Sequence, residues 1–273
     1  MIEQSKLLKI TAAIVIISLI FGTLSFFKVR YQFYLWEVLI DLKVLTIVGL
    51  FVYSFRRRDI SFDVSKFSIF TFEWKRNVVW FSIPLFVYAA VIGAGLAVGE
   101  VRINTMDNAV TLVLATVFDI PAIYVFSATS ILLEEIVFRG IIVRSYVPTS
   151  GPVRSIIFTG LLWTIFMVSD ITGTENFDIA ESAVLTLFFF AVGVLLASLS
   201  LSRGNIWFGY SLRIGLVTLT PIILTSRINE SDSFFTTPSL LFFAEGVVVS
   251  VFISLIAAIV IINFRKNSPV SLN

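Results

Sequence analysis

AVLTLFFFAVGVLLASLSLS occupies residues 183–202, twenty consecutive positions without a charge or a proline. A helix rises about 1.5 Å per residue, so roughly 20 such residues cross the ~30 Å hydrocarbon core of a bilayer. Working outward from this run, stretches of similar length and character occupy 10–27, 34–55, 78–98, 109–133, 153–172, 205–226 and 240–263. The reading is an all-α fold, a polytopic transmembrane helical bundle of about eight spans. The second run is the most polar, with Glu37, Asp41 and Lys43 in its first half, and seven spans result if it does not cross. Composition agrees with lipid as the solvent: of 273 residues 58% are apolar and 28 are Phe, more apolar surface than a soluble globule of this length could hide.

Charge supplies the orientation. With the amino terminus placed in the cytoplasm, fourteen Lys and Arg fall on the inner side of the spans and only Lys28, Arg30, Arg102 and Arg227 on the outer side, so the positive-inside rule puts both termini in the cytoplasm. The expected location is the plasma membrane, crossed several times. The first run, flanked by Lys9 and Lys28, lacks a small-residue cleavage site and reads as a retained anchor. Between the second and third runs, 59–77 mixes Phe62, Phe67, Phe70, Phe72 and Trp74 with Lys66, Lys75 and Arg76, the pattern of a segment lying in the headgroup layer. The formal charge of +2, spread over span ends, gives no nucleic-acid stripe, and the lipid bilayer is the expected partner.

Cysteine and histidine are both absent. Disulfides, thiolate metal sites and Cys nucleophiles are thereby excluded, as is the side chain most used as a transition-metal ligand and as a general base near neutral pH. No cofactor and no resident metal is expected.

Against that background Glu134, Glu135 and Arg139, followed by Gly140, stand out at the end of an apolar run. Glu135 and Arg139 are one helical turn apart, and their plain structural reading is an ion pair at the cytoplasmic end of a span. The wider spacing resembles the first motif of the CAAX-protease and bacteriocin-processing family (CPBP, or Abi) of intramembrane endopeptidases. Gly151-Pro152 then opens a helix in which Trp163 stands where that family has Phe and Met167 where it has His; Gly204-Asn205-Ile206-Trp207 leads to Arg213 and Val217 where the family has His and Asn. The resemblance runs from about Ser127 to Pro221. It divides the chain into amino-terminal transmembrane helices with the interfacial segment over 1–105, a CPBP-like core over 106–228, and a last helix and tail over 229–273.

The resemblance implies an endopeptidase in which the first Glu of the pair activates water while two His bind a metal or stabilise the oxyanion. Here Met167 offers a thioether, Val217 nothing, and Arg213 a permanent cation that cannot act as a base. Arg213 either points at Glu134 and Glu135 or snorkels to the interface. The first reading of function is a degenerate pseudoprotease that binds a membrane or lipidated protein or peptide. An active glutamate-dependent endopeptidase, with Arg213 as the oxyanion cation and CAAX processing or bacteriocin self-immunity as its task, is the second. A small transporter lined by Asp119, Glu134, Glu135 and Arg213 is the third.

Overall fold

A computed structural model describes residues 4–28, 34–56, 72–103, 121–171, 179–225, 235–237, 241–242 and 245–267. These form α1 (Gln4–Lys28), α2 (Tyr34–Arg56), α3 (Trp74–Ala97), α4 (Pro121–Glu134), a π-helical segment (Glu135–Ile142), α5 (Val143–Ser150), α6 (Pro152–Ile171), α7 (Ile179–Arg203), α8 (Trp207–Ile223) and α9 (Val247–Asn267). Among the described residues, α1, α3, α6, α7 and α9 each contain a stretch long and apolar enough to cross a membrane. The all-α, polytopic bundle read from the sequence is the fold found.

The central helix is α7, which packs on α6 along one side and on α9 along the other, while α3 lies along α8 and α1 along α6. Shared contacts fix the direction of each pass. Thr11, early in α1, and Tyr146 of α5 hydrogen-bond through their hydroxyls at 2.6 Å, and Ile261, late in α9, packs with Val143 and Ile156. The start of α1 and the end of α9 therefore lie at the same end of the bundle as the α5–α6 turn. At the opposite end β1 (Arg102–Ile103), which follows α3, pairs antiparallel with β3 (Phe235–Thr236), and β3 pairs parallel with β2 (Leu224–Thr225), which follows α8.

Two span boundaries differ from the expectation. The fourth run was expected to end at 133, with Glu135 and Arg139 on their plain structural reading an ion pair at the end of that span. Instead the helix runs on through the π segment and α5 to Ser150, so both carboxylates sit inside the bundle, 4% and 0% exposed. The counter-charges described below make that depth affordable, and hydropathy alone does not register them. Helix α3 begins at Trp74 rather than 78, because Trp74, Lys75 and Arg76 tolerate an interfacial helical turn as well as an irregular one. Phe72 and Trp74 there remain exposed, and Phe72 meets Trp207 edge-on at 5.4 Å, an aromatic group at the starts of α3 and α8. The rest of the expected interfacial segment, with Glu37, Asp41 and Asp119 as side chains, lies outside the described residues.

Candidate functional site

The Gly204–Trp207 stretch shows why α8 begins where it does. Gly204 adopts φ +67°, a left-handed conformation that ends α7 without the Cβ penalty other residues would meet. Asn205 Oδ1 then accepts the backbone N–H of Trp207 at 2.8 Å, which caps the new helix. Six residues on, Arg213 leaves α8 toward the bundle interior.

Four charges meet there. Arg213 Nη2 lies 2.7 Å from Glu134 Oε2 and its Nη1 3.8 Å from Glu135 Oε1; Arg139 Nη1 lies 3.5 Å from Glu135 Oε1. All four side chains are buried. Of the two readings of Arg213, the one that points it at the Glu pair describes the structure, since a snorkelling side chain would reach water rather than a carboxylate. Two anions and two cations sum to zero, so the cluster is neutral without any further ion.

Trp163, at 1% exposure, ties the group together. Its indole Nε1 donates to Glu134 Oε2 at 3.1 Å, and its ring is flanked by the guanidinium carbons of Arg139 at 4.5 Å and Arg213 at 5.0 Å. A face approached by cations on this scale contributes on the order of 1–2 kcal/mol when desolvated. Phe in the same place could stack but could not donate. That Trp163 stands where the family has Phe is legible in the sequence, but position along the chain carries no signal of a hydrogen bond made across helices.

Backbone proximity completes the pocket for Glu135. A Cβ at Gly209 would stand 2.9 Å from Glu135 Oε2, so the absence of a side chain lets α8 lie against the carboxylate. The π segment that carries Glu135 and Arg139 is pinned to α7 where Ser200 Oγ donates to the Arg139 carbonyl at 2.9 Å, and wide turns of this kind recur at functional sites. Satisfaction is incomplete: both Glu135 oxygens, the three Arg139 side-chain nitrogens and Arg213 Nη1 have no hydrogen-bond partner among the described residues. The cluster is held by charge more than by directed bonds.

Of the remaining replaced positions, Met167 Sδ lies 3.9 Å from Arg213 Nη2, and Val217 is 41% exposed on α8. Met167, Arg213, Val217 and Trp163 all border a cavity of about 250 Å³. So does Glu245, just before α9, a residue whose place in the sequence suggested only an outer boundary. Nothing in the spacing of 134, 213 and 245 could have joined them, because the join is made by the packing of α7 between α6 and α9. Lys43, one of the charges that make the second run polar, faces a neighbouring helix. It is fully buried and donates from Nζ to the Phe166 carbonyl at 2.7 Å and to Ser169 Oγ at 3.2 Å, holding α2 to α6.

A transition metal does not fit this donor set. No group of three or more His, Cys, Asp or Glu side chains comes together among the described residues, and Arg213 places its cation against the oxygens that would have to coordinate. What the arrangement offers chemically is a carboxylate oxygen already shared by an indole N–H and a guanidinium, beside an apolar cavity.

No curated protein and no solved structure matched the chain. One family comparison did match: residues 116–217 fit the model described as type II CAAX prenyl endopeptidase Rce1-like. The matched stretch contains Glu134, Glu135, Arg139, Trp163, Met167, Arg213 and Val217, whereas Glu245 and Lys43 lie outside it. By that match, the segment of this membrane protein that builds the charge cluster, residues 116–217, is similar to the Rce1-like type II CAAX prenyl endopeptidases.

Proposed function

We propose that the chain is a non-catalytic relative of the type II CAAX prenyl endopeptidases, set in the plasma membrane with both termini in the cytoplasm, which binds a membrane or lipidated partner without cleaving it. The observation that carries this reading is the 2.7 Å pairing of Arg213 with Glu134. A general base must offer a lone pair to water, and of the two Glu134 oxygens Oε2 already serves Arg213 and Trp163, which leaves Oε1 alone for that role. The tetrahedral oxyanion of peptide hydrolysis needs a cation or donor that moves onto it as charge develops, and Arg213 is drawn in the ground state toward two carboxylates, with only its Nη1 lacking a hydrogen-bond partner among the described residues. Met167 and Val217 supply neither a proton nor a strong ligand.

A second reading rests on the cavity. Because Arg213 borders about 250 Å³ of space, a substrate carbonyl seated there could draw the guanidinium from Glu134, freeing that carboxylate for water. The two readings separate in one experiment: purified protein in lipid nanodiscs is mixed with a farnesylated CAAX peptide in the presence of a transition-metal chelator. The expected result is retention of intact peptide with no release of its terminal tripeptide. Release that is abolished by Glu134→Gln would overturn the non-catalytic reading in favour of the Arg213-assisted enzyme.

A further inference from the structure

The cavity beside the charge cluster has an electrical imbalance that the cluster itself lacks. Of its two charged lining residues, Arg213 is matched by Glu134 and Glu135. The other is Glu245, partly buried, with no cation in ion-pair range among the described residues; the charged group that acts on it is Glu181 of α7, a second acid. The lining also includes three aromatic side chains, Phe188 and Phe189 of α7 and Trp163 of α6. Trp163 and Phe189 meet edge-on at 5.9 Å and Phe188 and Phe189 at 5.5 Å, so the rings pack on one another.

We propose that this cavity binds a small hydrophobic ammonium, a primary alkylamine whose cationic head pairs with Glu245 and whose apolar tail lies against Trp163, Phe188 and Phe189.

Size, charge and surface each select this class. Cavities of ~150 Å³ hold benzene and drug-sized ligands fill ~300 Å³ or more, so about 250 Å³ takes a short chain or a single ring with a head group. A carboxylate head would meet Glu245 and find Arg213 already shared between two acids. A neutral alcohol would leave the Glu245 charge uncompensated. An ammonium answers that charge directly and is also attracted by aromatic faces within about 6 Å. Burial and Glu181 push the Glu245 carboxyl up to about 7, so the carboxylate that an ammonium would pair with predominates only above that pH. The charged group that bears on it is Glu181 from α7; Arg213 from α8 lines the same cavity, and α6 contributes Trp163 and Met167, neither of which titrates. Only the ionised carboxylate pairs with an ammonium, so affinity should weaken as the pH falls through about 7. The site stands whether or not the Glu pair hydrolyses anything.

The test uses octylammonium as probe, with octanol and octanoate as isosteric comparisons, on the full chain in zwitterionic nanodiscs at about pH 8, read by native mass spectrometry and thermal shift. A single octylammonium per chain is expected, bound about tenfold or more tighter than octanol, with octanoate weakest and with affinity falling about tenfold by roughly pH 6. Glu245→Gln should abolish the preference for the amine over the alcohol. Val217→Phe, which fills the cavity and leaves Glu245 in place, should remove binding of all three probes. Absence of octylammonium binding, equal binding of amine and alcohol, preference for octanoate, or full binding by either variant would each overturn the proposal; equal binding would identify a pocket for lipid tails instead.

Discussion

Arg213→Ala removes the two ion pairs that, among the described residues, cross from α8 to the Glu pair, and their cost can be worked from the distances. At an effective dielectric of about 20, a pair at 2.7 Å attracts by roughly 6 kcal/mol and one at 3.8 Å by roughly 4 kcal/mol, and desolvation of the guanidinium offsets most of that sum. What remains when one partner is deleted is a buried, uncompensated carboxylate, and breaking pairs of this kind costs about 3–5 kcal/mol. The cluster's charge falls from zero to −1 with Arg213→Ala, rises to +1 with Glu134→Gln, and returns to zero in the double variant. Arg213→Ala combined with Glu134→Gln should therefore be more stable than the sum of the single losses by about 2–3 kcal/mol, the range of coupling found for residues sharing one network. Arg213→Lys should fall between wild type and Arg213→Ala, since one ammonium cannot reach both Glu134 and Glu135 as the two ends of a guanidinium do. Thermal unfolding in a single detergent of wild type, the single variants and the double variant gives the cycle. Strict additivity would refute the reasoning, because it would mean that the two side chains do not feel each other in the folded protein.

Further outcomes follow from the same geometry. Gly209→Ala, whose Cβ would stand 2.9 Å from Glu135 Oε2, should cost about 1–3 kcal/mol by overpacking, and an unchanged melting temperature would show that α8 has room to move there. Elemental analysis of detergent-purified protein should find no stoichiometric zinc, and a value near one per chain would contradict the donor-set argument. Glu245 should make stability fall as pH rises: its carboxyl is pushed from an ordinary 4.5 up to about 7, so between those values the unfolded chain releases its proton first. The stabilisation is complete below about pH 4.5 and lost above about 7, and Glu245→Gln should flatten that part of the melting curve against pH.

Legibility differed between the fold and the site for a physical reason. Runs such as 183–202 announce helices because every residue facing lipid must be apolar, whatever the helix packs against. Glu134, Glu135 and Arg139 were legible as a group because they share one helix within two turns. Whether Arg213, seventy-four positions beyond Arg139, meets them or snorkels to the interface was not legible, since hydropathy penalises a charge and cannot register a partner across the bundle. The contacts of Trp163, Lys43 and Glu245 were obscure for the same reason: an indole donor to Glu134, an ammonium under the Phe166 carbonyl and an acid at the cavity edge all act between helices. The family resemblance located Arg213 by position, and only packing gave it a partner.

Two adjacent carboxylates inside a bundle set a condition that any residue replacing the expected His must meet. Both can stay ionised only if about two positive charges stand near them; otherwise one of them must take up a proton. Arg139 supplies the first charge from the same helix, 3.5 Å from Glu135. The second must come from across the bundle. Among side chains, Met at 167 cannot supply it and Val at 217 cannot, whereas an Arg at 213 supplies it permanently and reaches both acids. A neutral side chain at 213 would have left the pair short of charge, and a Lys would have reached one acid only. The identity of residue 213 is thus what a Glu pair requires when no histidine is available, and the same guanidinium that meets the requirement engages one of the two Glu134 oxygens.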